Sequence, residues 1–212
     1  MRSLLLIALV GLFLSSCVPV AWVVPPTQLD VGFGGATDVS PERDGSTWMF
    51  PFAVGAHPLG LLKEHHSRPF DVALGYRLHL FSEYSRVMHG PYLEATYFVW
   101  PTDQYPWHRM RLGFSPRGYL YFGHSERAFL PTLGIRATLE FVSHVDFESA
   151  DCTIRTGASF FCGYSRGFGE RSFGLYIEGQ RAVTPVHPYT AFFGGLTWRA
   201  PASMGAGLVG GW

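Results

Sequence analysis

The chain predicts an all-β fold, an antiparallel up-and-down β-barrel, on three observations. Apolar residues alternate with small or polar ones along most of the chain, the mark of strands with two unlike faces. The 212 residues include 25 Gly and 15 Pro, which suit many strands and turns better than long helices. Only 15% of residues are charged while 16% are aromatic, against about 25% charged in an ordinary soluble domain. Sixteen basic residues balance sixteen acidic ones, and Lys63 is the only lysine. That balance leaves no basic surface for nucleic acid.

The N-terminus reads as an address. Met1-Arg2 precedes an apolar run from Leu4 to Leu14, then Ser15-Ser16-Cys17, the parts of a secretory signal peptide. Apolar character continues to Val24, so an uncleaved membrane helix is a second reading, opposed by Pro19 and the Ser-Ser-Cys step. An ordinary signal peptide with an incidental cysteine is a third. Leu14-Ser15-Ser16-Cys17 resembles the lipobox of bacterial lipoproteins: an aliphatic residue, two small residues and an obligatory Cys. The resemblance implies removal of residues 1–16 and lipidation of Cys17 with diacylglycerol and palmitate. Val18 in place of Asp implies delivery to the outer membrane. Residues 17–26, ending in Pro25-Pro26, are then a lipidated tether, and 27–212 form the β-barrel domain.

Within that body the clearest strand runs from Phe70 to Leu80. Phe70, Val72, Leu74, Tyr76, Leu78 and Leu80 share one face, and Asp71, Ala73, Gly75, Arg77 and His79 the other. Leu133 to Phe141 repeats the pattern, as does Phe173-Leu175-Ile177 against Gly174-Tyr176-Glu178. Leu29–Ala36, Trp48–Ala56, Leu93–Val99 and Tyr189–Trp198 are weaker versions. In Arg109–Gly123, Ser115-Pro116-Arg117-Gly118 suggests a turn, yet parity survives it, favouring one long strand bulged or bent near Gly118. That gives eight strands; a hairpin there plus a tail strand ending at Trp212 gives ten. Asp146–Gly169 reads as a long connection, and no helix is evident after Cys17.

Alternation alone does not say which face is outside. Three observations place the apolar face in lipid: the near absence of lysine, which a soluble exterior would carry; a second face mixing Gly, Ala, Thr and Ser with isolated Arg and Glu; and Trp48, Tyr97, Trp100, Tyr105, Trp107 and Trp198 near strand ends, where interfacial aromatics sit. The strands also have the length a tilted span needs, about 9–11 residues. In pattern, size and aromatic girdles the body resembles the small eight-stranded outer-membrane barrels. It departs from them in its tail, where Pro201 and Gly205–Gly211 make a poor strand before the terminal Trp212.

Seven charged residues, Arg77, Glu94, Arg109, Arg111, Arg136, Glu140 and Glu178, take the inward parity and are expected to pair inside the barrel, since buried charge needs a partner. On the same parity Ala73→Arg is expected to crowd the interior and Gly75→Ser to be mild. Cys152 and Cys162 are expected to form a disulfide in the exported chain. His65-His66-Ser67 contains a His-x-Ser resembling that of the outer-membrane lipid A deacylases, but Arg68-Pro69 follows it and no strand carries it. His124-Ser125-Glu126 places neighbours on opposite faces, and His65-His66 lacks further ligands for a metal. No catalytic residue, metal or cofactor is assigned. Three functions follow: a lipid-anchored outer-membrane barrel with a structural, adhesive or envelope-interaction role, meeting lipid through its belt and a protein or surface ligand through its loops; a lipid A-modifying hydrolase of that membrane; and a tethered soluble periplasmic ligand-binding barrel.

Overall fold

A computed structural model describes residues 18–37, 45–62, 69–82, 87–99, 110–123, 129–155, 159–183 and 189–211. Residues 1–17, including Cys17, and the segments holding Arg109, His65-His66-Ser67 and His124-Ser125-Glu126 lie outside them. The described residues form ten antiparallel strands and one 3-10 turn, Pro58–Leu61: β1 Val18–Val24, β2 Thr27–Thr37, β3 Ser46–Ala56, β4 Phe70–Phe81, β5 Val87–Phe98, β6 Met110–Tyr121, β7 Leu130–Arg155, β8 Ser159–Ala182, β9 Thr190–Ala200 and β10 Ala202–Gly211. They divide into two compact units.

The larger unit, residues 25–145 and 169–202, is a closed ring of eight strands. Each of β2 to β8 pairs with the next in sequence, and β9 pairs back onto β2 with Thr27 opposite Ala200 and Thr37 opposite Thr190. Closure leaves no free edge in the ring, so each strand finds backbone partners on both sides. The weaker alternation around Gly32, Gly34 and Gly35 in β2 does not prevent pairing, because β3 and β9 fix its register from both sides. β6 is one unbroken strand. Its register with β7 is constant from Met110–Phe141 to Tyr121–Leu130, so the bulge expected near Gly118 is absent from this ladder. Pro116 is accommodated on an outward, exposed position within it.

The smaller unit comprises residues 1–24, 146–168 and 203–212. Its strand order is β1, β10, β8, β7, and it corrects three expectations. Val18–Val24, read as tether, is strand β1, built largely of valine, whose branched side chain favours extended backbone. The Gly-rich tail is strand β10, paired with β1 from Val18–Val209 to Val24–Ser203. Most of the Asp146–Gly169 connection is strand as well, because β7 and β8 continue to Arg155 and from Ser159. Backbone pairing offsets the poor intrinsic preference of glycine here, and Trp22 lies against Gly205, where a Cβ would collide with the indole.

Candidate functional site: the buried charge network

Side chains of the ring alternate between exposed and buried along every strand, and the buried parity carries the charge. Arg77 and Arg136 are 0% exposed and Arg117 1%, while Ile135 is 73%, Phe192 64% and Leu74 55%. A water-filled lumen would wet the arginines; instead they are packed.

Three carboxylates organise the centre. Asp30 on β2 receives a two-pronged contact from Arg136 on β7, whose Nη1 donates to Oδ2 and whose Nη2 donates to Oδ1 at 3.1 Å. Arg77 on β4 and Arg117 on β6 each donate to Asp30 Oδ2 at 3.5 Å. Glu178 on β8 accepts from Arg77 at 2.8 Å, Arg117 at 3.3 Å, Gln180 at 2.7 Å and the Tyr119 hydroxyl. Glu94 on β5 accepts from Arg117 and from Thr96 at 3.1 Å. Six of the eight ring strands thus meet through one set of charge-assisted bonds, about twice as strong as neutral ones. The guanidinium faces rest on aromatic rings: Arg136 over Tyr176 at 4.0 Å, Arg117 over Tyr92 at 5.0 Å and Arg77 over Tyr119 at 5.2 Å.

A second group lies one to three inward positions along the strands. Arg111 donates to Glu140 through Nε at 2.9 Å and Nη2 at 2.7 Å, and also pairs with Glu170. Ser172 adds a hydroxyl to Glu140 at 3.0 Å. Arg199 donates to Asp71 at 3.0 Å and to Gln28 at 3.3 Å. His57, just past β3, lies between Asp71 at 2.7 Å and the Gln28 side-chain oxygen at 2.8 Å. Gln28 directs its amide nitrogen to Asp30 at 2.9 Å, which fixes that oxygen toward His57 and Arg199.

Toward the other end of the ring the interior changes character. Met49, Phe81, Met88, Leu130, Tyr189 and Phe193 are buried together, with His79 between the hydroxyls of Tyr189 at 3.1 Å and Tyr121 at 3.2 Å.

Six of the seven residues read from sequence as interior charges lie in these groups, and Arg109 is outside the described residues. Asp30, Asp71, Arg117, Glu170, Arg199 and His57 were not singled out. Arg117 and Asp71 show the inward parity plainly, and that signal alone could have found them. Asp30 sits in the glycine-weakened strand, and Arg199 and His57 sit at strand ends, where alternation fades. Each described central carboxylate is committed to several donors, which suits filling and tying an interior, not proton transfer to a substrate. Among the described residues no group of three or more His, Cys, Asp or Glu could hold a metal ion. Comparison with protein-family models, curated proteins and solved structures finds no match to this chain.

Proposed function

We propose that the chain is a bacterial outer-membrane β-barrel, lipid-anchored at Cys17, with a structural, adhesive or envelope-interaction role and no catalysis. The observation that carries this reading is the inverted polarity of the ring: charge inside, large apolar side chains outside. In water such an exterior would be one contiguous apolar patch, far above what soluble monomers expose. The height of the belt agrees. The outward column of β8 runs Arg171, Phe173, Leu175, Ile177, Gly179, Arg181, with both arginines exposed. The ten-residue step between them, at about 3.3 Å per residue and about 40° tilt, spans roughly 25 Å, the height of the apolar band of a membrane barrel. The tethered soluble binder would need the opposite arrangement, and the hydrolase motif lies outside the described residues. The packed interior supports a barrel that does not conduct, with lipid as partner of the belt and loop ligands as further partners.

The exported setting also supports the Cys152–Cys162 pairing. Cys162 is disulfide-bonded; the side chain of Cys152 is outside the described residues. Phe147 lies against Gly167 and Glu148 pairs with Arg166 at 3.6 Å, and four further steps along each strand bring position 152 opposite 162. Such a bond is cross-strand within a hairpin.

Leu74→Arg tests the membrane assignment. Leu74 points outward near the middle of β4, so a charge there costs about 2–4 kcal/mol in a bilayer but is within about 0.5 kcal/mol of neutral on a water-exposed surface. Equilibrium unfolding of the vesicle-inserted protein reads the difference. A Leu74→Arg protein as stable as wild type, or a signal-free Cys17→Ser protein that stays folded and monomeric in plain buffer, overturns the proposal.

A further inference from the structure

The smaller unit presents an apolar surface that the ring does not account for. β1 and β10 contain no charged residue. Their cross-strand partners point to the same face, so the Val23–Met204 and Ala21–Ala206 pairs make one apolar column. Val23 is 61% exposed and Met204 38%, and Ala21 and Ala206 are exposed. Val20 and Val24 are exposed as well, at 38% and 41%. A β-sheet normally buries at least one face against a second layer; among the described residues no layer covers this one.

Polarity is graded across the unit. The β8 and β7 side of the sheet carries Asp146, Glu148 and Arg166, joined as exposed ion pairs at 3.2 Å and 3.6 Å. One edge is therefore uncharged, and the other carries paired charges beside the exposed Phe147 and Tyr164. Cys17, the residue read as lipidated, immediately precedes β1. Acyl chains on that sulfur hold the first residue of the strand at the bilayer surface, one Cα step of about 3.8 Å away. An uncharged, valine-rich ribbon fixed at that place meets lipid before it meets any other partner.

We infer that the β1–β10 ribbon is a second membrane contact, seated in the interfacial region of the lipid leaflet that carries the Cys17 anchor, with its β7–β8 side turned to water. This rests on the lipidation reading. The ribbon adds apolar contact beside the acyl anchor, and binding to the interface strengthens with the apolar area buried there.

The test uses the full lipidated chain in phosphatidylcholine vesicles. An environment-sensitive fluorophore is attached to a Val23→Cys variant and, as control, to a Glu148→Cys variant. The probe at 23 should be blue-shifted and lose most of its emission when the vesicle lipid is brominated on its acyl chains, with little effect of aqueous iodide. The probe at 148 should show the reverse. A probe at 23 quenched by iodide as readily as that at 148 overturns the inference, and so does disulfide cross-linking between copies through Val23→Cys, which would assign the face to a second copy. Ser in place of Cys17 should weaken bromine quenching at 23 while leaving the belt inserted. If the position-23 probe is in water while Leu74→Arg still destabilises the inserted protein, this inference alone fails and the barrel proposal stands.

Discussion

Asp30→Asn is the sharpest probe of the interior, because the substitution keeps shape while it removes the charge and turns one acceptor oxygen into a donor. Asp30 is 1% exposed and is contacted by three guanidiniums. Arg77 and Arg117 keep Glu178, and Arg117 keeps Glu94. Among the described residues Arg136 keeps the Thr138 hydroxyl at 3.2 Å and the Tyr176 ring as direct contacts, with Glu94 as the remaining nearby carboxylate. The variant therefore strands one buried cation. A unit pair at about 4 Å interacts by about 4 kcal/mol at an effective dielectric near 20, and breaking a buried pair by removing one partner costs about 3–5 kcal/mol. We expect Asp30→Asn to lose about 4 kcal/mol. Arg136→Met alone should cost less, since Asp30 retains two arginines. The double variant should recover much of the loss, because removing both charges can be nearly neutral. The assay is equilibrium denaturant unfolding in one vesicle or detergent system, analysed as a double-mutant cycle, with a coupling of about 2 kcal/mol or more expected between these contacting residues. A loss below about 1 kcal/mol for Asp30→Asn, or strict additivity, would mean that the Asp30 contacts do not hold the strands together.

Three other outcomes follow from the same geometry. Gly75→Ser should destabilise by about 1–3 kcal/mol through overpacking, correcting the sequence expectation of a mild change: a Cβ there collides with the Tyr92 ring and the Val54 carbonyl oxygen. Unfolding of the variant measures it, and Tyr92→Phe should not relieve it, because the collision is with ring carbons. Cys152 and Cys162 should resist alkylation until reduced, and mass spectrometry finding both labelled in unreduced native protein would refute the pairing. The mature protein should begin at lipidated Cys17, so a mass that retains Met1 to Ser16 would refute processing there.

The fold was legible wherever one face is apolar and the other is not. Phe70–Phe81 and Met110–Tyr121 announce themselves by parity, and Pro116 interrupts neither parity nor register. What escaped was structure whose pattern is not two-faced. β1 is apolar on both faces and β10 is mostly Gly and Ala, so neither has an alternation to detect. The ends of β7 and β8 carry charge on positions that are wet on both sides, as Asp146, Phe147 and Glu148 all are, and such a strand reads as loop. The interior charges were legible as a set of inward residues. Their partners were not, because Asp30 meets Arg136 across 106 positions of sequence, a contact fixed only when the ring closes.

Closing a ring of eight strands around five large cations raises a question of space, and the glycines answer it. Small barrels fill their interior by setting small residues against large ones. Along one cross-strand row Gly55 pairs with Gly75, Gly75 with Tyr92 and Tyr92 with Tyr119. The Tyr92 ring lies over both glycines, so that a Cβ at Gly55 would collide with its hydroxyl. A second row repeats the device: Tyr176 pairs with Gly195 and Gly195 with Gly32, and a Cβ at Gly32 would meet the Tyr176 hydroxyl. In each case a tyrosine hydroxyl reaches over a strand position that offers no side chain, Gly55 for Tyr92 and Gly32 for Tyr176. The upper surface of each ring is then free to carry a guanidinium, Arg117 over Tyr92 and Arg136 over Tyr176. Glycine, tyrosine and arginine are therefore three layers of one packing solution, stacked from strand backbone to the axis of the ring. A residue with a side chain at Gly55, Gly75 or Gly32 would displace the tyrosine, and with it the guanidinium that lies over the ring and donates to Asp30 or Glu178. The inward glycines, which look like weak points in the strand pattern, hold the charge network in register.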